Sequence, residues 1–189
     1  MEVFIEPVLP GPELLIVGHG GIAETLCTLG HLMGFTITVN DPAADAANFP
    51  QAAKLVTEDF DLTEAPIGTN TYAVIATQHK RDHLWLQKAL EGNAAYVALV
   101  ASRHRSQLVL DYVAAAGVPA AKIAAVFAPA GIDLGAATPE EIALSIMSQI
   151  VALRRRGTTR SLSLEKKAGT MDDNPAEKII RQCEVQGTS

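Results

Sequence analysis

Residues Leu14 to Ala23 read Leu-Leu-Ile-Val-Gly-His-Gly-Gly-Ile-Ala: an apolar run breaks into glycines, and the glycines break into a helical pattern. This order of pieces fits the G-x-G-x-x-G/A turn, which joins a parallel strand to a helix and faces a dinucleotide. Each position has an expected physical task. Gly18 turns the chain tightly out of the strand. Gly20 has no Cβ and lets a pyrophosphate approach the backbone. Ala23 is small enough for the helix to lie close on the sheet. The helix N-terminus then offers unpaired N–H groups and the positive end of its dipole to an anion, with Gly21 counted among the cofactor-binding candidates. A βα corner that binds nothing uses glycines in the same way and stands as the alternative.

The chain beyond the turn fits the same scheme. Apolar residues recur at helical spacing from Ile22 to Met33, and Gly34 stands where a C-cap would. Phe35 to Val39 is a β-branched run that ends at Asn40-Asp41-Pro42. Asp41 follows Gly18 by 23 residues, about where such folds place the acid that binds a ribose hydroxyl. Its other reading is a turn cap before Pro42. No arginine follows closely to meet a 2′-phosphate, so a nicotinamide nucleotide here would be NAD rather than NADP.

Residues 1–13 read as an extended lead-in, 42–53 as a loop or short helix, Leu55-Val56 as a short strand and Asp59 to Asn70 as an acidic, turn-rich stretch. Strands are predicted at Thr71–Thr77, Tyr96–Val100 and Ile123–Phe127. Helices are predicted over Arg81–Leu90, with Leu84, Leu86, Ala89 and Leu90 inward, and from a Ser102 cap to about Ala116. Thr138-Pro139-Glu140-Glu141 is a helix start with proline at N1 and a capping box, and that helix runs to about Arg155. Strands hydrophobic throughout, alternating with helices, imply an α/β class: a doubly wound, mainly parallel sheet with helices on both faces. The expected division is a domain over residues 1–156 and a polar tail over 157–189, with a short helix after Asn174-Pro175.

Composition excludes several functions. Residues 1–153 carry 7 Lys/Arg against 16 Asp/Glu, an acidic body unsuited to nucleic acid; residues 154–189 carry 8 against 5. The run Arg154-Arg155-Arg156 reads as a solvated helix end or as a contact for a partner or anion. No apolar stretch is long enough to cross a membrane, and the start lacks a basic signal-peptide region, so a cytoplasmic address is expected. Cys27 and Cys183 are too far apart to suggest a metal pair, and Cys27 reads as a buried small hydrophobe. Neither a G-x-x-x-x-G-K-[ST] loop nor a G-x-S-x-G elbow occurs.

Ligands of doubly wound sheets sit beyond the carboxyl ends of the strands. That rule selects His19, Asp41, Thr77-Gln78-His79, Ser102-Arg103 and the loop Pro129-Ala130-Gly131-Ile132-Asp133 as candidates for one crevice. Arg103 suits a phosphate or carboxylate, with a surface ion pair as the alternative, and the adjoining His104 is placed to share its anion. His79 is placed for proton transfer or is merely exposed on a loop. Asp133 reads as a cap for the helix starting at Pro139, or as a ligand group. His31 and His83 are assigned to surface or packing.

These residues also carry a resemblance. The words Val3-Phe4-Ile5-Glu6-Pro7, the turn at Gly18, Ala76-Thr77-Gln78, Val100-Ala101-Ser102-Arg103 and above all the run from Pro129 to Ile146 resemble the C-terminal Rossmann-type domain of the XdhC/CoxI family. The resemblance covers roughly residues 3–156. It implies a maturation factor that stores, protects, sulfurates or inserts the molybdenum cofactor of xanthine and carbon monoxide dehydrogenases. A molybdenum hydroxylase apo-enzyme would be its partner. Family members often carry histidine after the second motif glycine; here Gly21 stands there and the histidine is His19. Most members also have a further N-terminal domain, so a separate subunit supplying it, or a stand-alone variant, is expected, together with a homodimer. The competing readings are an NAD-dependent oxidoreductase and a non-catalytic nucleotide sensor; whether the protein is an enzyme stays open.

Overall fold

A computed structural model describes residues 11–59, 62–78 and 81–160. Met1–Thr158 and Thr159–Ser189 are separate units. Cys183, the segment Val3 to Pro7 and the helix expected after Asn174 lie outside the described residues.

Five strands, β1 (Glu13–Val17), β2 (Thr36–Asn40), β3 (Lys54–Val56), β4 (Thr71–Ile75) and β5 (Tyr96–Leu99), form one parallel sheet in the order β3-β2-β1-β4-β5. Among the described residues five helices accompany them: α1 (Gly21–Leu32), α2 (Asp82–Glu91), α3 (Arg103–Ala115), α4 (Ala120–Ala124) and α5 (Pro139–Arg155). The strand order reverses between β1 and β4, and a crevice opens at such a reversal because the loops leave the sheet to opposite sides.

The continuous apolar strands divide by twos. Leu14, Ile16, Ile37, Val39 and Val74 face α1 and α5, where they meet Leu26, Cys27, Ile146 and Ile150. Leu15, Val17, Ala73, Ile75 and Leu99 face the other way, against Trp85, Leu86 and Ala89 of α2 and Val109 and Val113 of α3. Alternate side chains of one strand thus fill two cores, which is why Leu14–Val17, Ala73–Ile75 and Val97–Leu99 are continuous apolar runs. Each fully buried Leu or Ile contributes roughly 1.5–3 kcal/mol. Burial also pushes the Cys27 thiol above its ordinary pKa, so it stays a neutral core group.

Local signals set the ends. After α1, the Gly34 and Phe35 N–H groups return to the carbonyls of His31 and Gly30, the paired bonds of a Schellman stop. In the last turn of α5 the Arg154 guanidinium lies 5.4 Å from the centre of the Phe35 ring.

Two expectations are corrected. Leu84 is 45% exposed rather than inward, and Trp85 takes its place in the core, because α2 presents residues 85, 86, 89 and 90 to the sheet. The strand expected over Ile123–Phe127 does not form: Ile123 and Ala124 close α4, which Pro119 starts, and only Phe127 pairs with the sheet, opposite Ala98. His31 is exposed, and His83 packs its ring 4.2 Å from that of Tyr112.

Candidate functional site

The loops beyond the strand ends enclose a crevice of about 790 Å³. Of the residues selected from sequence, His19, Gly21, Gln78, Ser102, Arg103 and the whole loop Pro129–Asp133 line it. Apolar residues absent from that selection, among them Ile22, Val100, Leu134 and Ile142, supply much of the wall. Their signal was the hydrophobic character of the Pro129 to Ile142 stretch, which reads equally well as packing.

The glycine turn begins where β1 ends. Gly18 has φ +130°, and a Cβ there would collide with the Ala76 carbonyl oxygen, so this glycine lets the turn lie against the end of β4. Gly20 has φ +90°, and a Cβ there would lie 2.6 Å from Gln78 Nε2. The expectation that Gly20 leaves open backbone for a pyrophosphate therefore needs correction: the Gln78 amide covers it, with Nε2 directed at the His19 carbonyl 3.4 Å away. Ala23 is fully buried on the sheet, as its size suggests.

Three helices present their first residues, Gly21, Ser102-Arg103 and Pro139, to the crevice. Two are capped. Ser102 Oγ accepts the Arg105 N–H, and Thr138 with Glu141 forms a complete capping box at α5. Helix α1 starts from Gly20 with no side-chain cap, so the N–H groups of its first turn are left for another partner. The Glu141 carboxylate accepts the Ala137 and Thr138 N–H groups, and those bonds lower its pKa from the ordinary value. Asp133 therefore does not cap α5; its Oδ1 accepts the Gly135 N–H 3.2 Å away, stiffening its own turn.

His19 and Asp41 meet across the turn, with His19 Nδ1 2.9 Å from Asp41 Oδ1. The ring nitrogen is buried and lies against the carboxylate without the alignment of a hydrogen bond. The Asp41 carboxylate also accepts the Ala43 N–H at 2.8 Å, the turn cap that was its alternative reading. Asp41 itself does not line the crevice.

Thr77 leaves the candidate group. It is buried and its hydroxyl donates to Asp82 Oδ1, whose second oxygen accepts from Arg105 Nε at 3.1 Å. This network, buried at Thr77 and Asp82 and part-exposed at Arg105, ties the end of β4 to the starts of α2 and α3. His104 is exposed on α3 and lies outside the crevice lining, whereas Arg103 lines it. His79 lies outside the described residues.

The far wall hangs on α5. Gln149 Oε1 accepts the Gly131 N–H at 3.0 Å and the Tyr96 hydroxyl at 2.6 Å, while its Nε2 donates to the Gly131 carbonyl. Burial pushes the Tyr96 phenol far above its ordinary pKa, so it remains a donor at any physiological pH. Among the described residues no group of three or more His, Cys, Asp or Glu could hold a metal ion, and no helix is long and apolar enough to cross a membrane.

A family model, the XdhC Rossmann domain, matches residues 14–150. The chain is 32% identical over 160 residues to the uncharacterized protein YqeB of Escherichia coli strain K12, spanning 82% of this chain and 29% of that protein. It is 30% identical over 161 residues to a probable xanthine dehydrogenase subunit of Bacillus subtilis strain 168, spanning 82% and 47%. A crystal structure described as a xanthine dehydrogenase from Bacillus halodurans shares the fold with a TM-score of 0.67 at 27% identity, over 78% of this chain and 45% of that one. The chain thus spans less than half the length of each of these relatives.

Proposed function

The chain belongs to the XdhC Rossmann domain family, and from that premise we propose that its crevice carries the molybdenum cofactor, a phosphorylated pterin, as cargo for a molybdenum hydroxylase of the xanthine dehydrogenase type. The observation that carries this reading is the bare start of α1. The N–H groups of its first turn have no side-chain cap and stand at the positive end of the helix dipole, beside the crevice. A phosphate satisfies such donors with charge-assisted bonds worth roughly 1.5–3 kcal/mol each. Arg103 lines the same crevice and makes no ion pair among the described residues, which suits a second anionic contact.

The rest of the wall fits a flat heterocycle. Ile22, Ile132, Leu134 and Ile142 offer apolar surface, and the volume falls within the range of about 300–1,000 Å³ usual for small-molecule sites. The cargo is held through its phosphate and its ring. Cys27 is sealed in the core, so the task that fits is storage and delivery rather than sulfur transfer from that thiol.

Mass spectrometry of the ligand released from natively purified protein tests the proposal. A phosphorylated pterin is the expected species. A nicotinamide dinucleotide in its place would instead make the chain a dehydrogenase-type module or a nucleotide sensor.

A further inference from the structure

In doubly wound folds the acid at the end of the second strand reads the ribose of a dinucleotide, and it must present its carboxylate toward the glycine turn. Asp41 holds that place: its own N–H extends the ladder to the Val56 carbonyl. Its carboxylate is nevertheless engaged. Oδ1 accepts the Ala43 N–H at 2.8 Å and lies 2.9 Å from His19 Nδ1. The His19 side chain is 28% exposed and lines the crevice; that of Asp41 is 14% exposed and does not. The imidazole therefore stands between the crevice and the acid.

We infer that His19 is a specificity-determining residue that plugs the ribose subsite, so that the crevice takes phosphomonoesters of heterocycles and turns away dinucleotides. The inference rests on reading the crevice as a phosphate-holding site. It adds a reason why a turn shaped like a dinucleotide site need not bind one. The plug sits at the first variable position of the motif, where its ring spans from the end of β1 to the end of β2. The Gln78 amide, directed at the His19 carbonyl, holds the same stretch of backbone from the β4 side.

Equilibrium binding to the purified chain tests this, with NADH fluorescence and inorganic pyrophosphate calorimetry as the two probes. Wild-type protein is expected to bind pyrophosphate and to bind NADH weakly, with no sensitivity to Asp41→Asn. His19→Ala, and independently His19→Ser, should raise NADH affinity about tenfold or more, and Asp41→Asn added to either should remove the gain. Wild-type NADH binding that collapses in Asp41→Asn, or folded His19 variants that gain nothing, overturns the plug while leaving the phosphate site standing. Failure of wild-type protein to bind pyrophosphate overturns the phosphate-holding reading itself.

Discussion

Helices α1 and α5 begin side by side, with Gly21 so close to Pro139 that an added Cβ would lie 3.1 Å from the proline Cβ, yet their first turns are built oppositely. At α5 the chain satisfies itself: Thr138 accepts the Glu141 N–H, and Glu141 reaches back to the Thr138 and Ala137 N–H groups. At α1 it does not, because Gly20 has no side chain and its backbone, at φ 90° and ψ −179°, excludes the Ser, Thr, Asp or Asn that would make a cap. A capped terminus spends its donors on stability. A bare one, opening on a crevice, leaves them open to a ligand.

The largest expected effect lies at the root of the bare turn. Gly18→Ala combines a left-handed backbone with a clash against the Ala76 carbonyl, which has no flexible side chain to give way. Strain and overpacking together should cost about 3–5 kcal/mol, read as a lowered urea midpoint. A loss under about 1 kcal/mol would mean that β1 and β4 can part at their ends, and the turn would then be a poor cradle. Gly20→Ala should cost less, about 1–3 kcal/mol, because the Gln78 side chain can move away. It should also abolish pyrophosphate binding. If binding survived, the donors of α1 would not be the anion site and the contrast with α5 would lose its meaning.

Thr138→Ala probes the other helix and should cost about 1 kcal/mol without altering pyrophosphate affinity. A change in affinity equal to that of Gly20→Ala would show that the two starts act as one site. The two variants together test whether one terminus serves folding and the other binding.

The parts of this comparison differ in how readily the sequence reveals them. The capping box is legible because all its partners lie within four residues, and so are the glycine turn and the two-faced strands, whose signals are local and periodic. The His19–Asp41 pair is not, since it depends on the parallel register that sets Val17 beside Asn40. Thr77 misleads for a similar reason. It follows a strand end, as a ligand residue should, but its hydroxyl turns to Asp82, a buried acid at the start of α2. Phe127 retains one bridge of an expected strand because Pro119 and the alanines after it favour a helical turn first. Long-range pairing and the direction of a side chain at a loop are settled by tertiary geometry, which no spacing rule encodes.

The smallest expected effect separates the charge of the α5 cap from its hydrogen bonds. Glu141 is held ionised by the Ala137 and Thr138 N–H groups, so its pKa in the folded protein lies below the ordinary carboxylate value of 4.5. The unfolded chain therefore binds the proton more readily, and stability must rise with pH across that interval. The contribution is fully present above about pH 4.5 and is lost as pH falls through the lowered folded value. Glu141→Gln keeps an acceptor for both N–H groups and removes the titration. Its urea midpoint should vary less with pH than that of wild type between about pH 3 and 5, and the two proteins should converge at the acid end as the wild-type carboxyl becomes neutral. Pyrophosphate binding at neutral pH should be the same in both. A midpoint difference that is flat across this range would mean that the carboxylate charge adds nothing to the cap, and that α5 is held at its start by neutral hydrogen bonds alone.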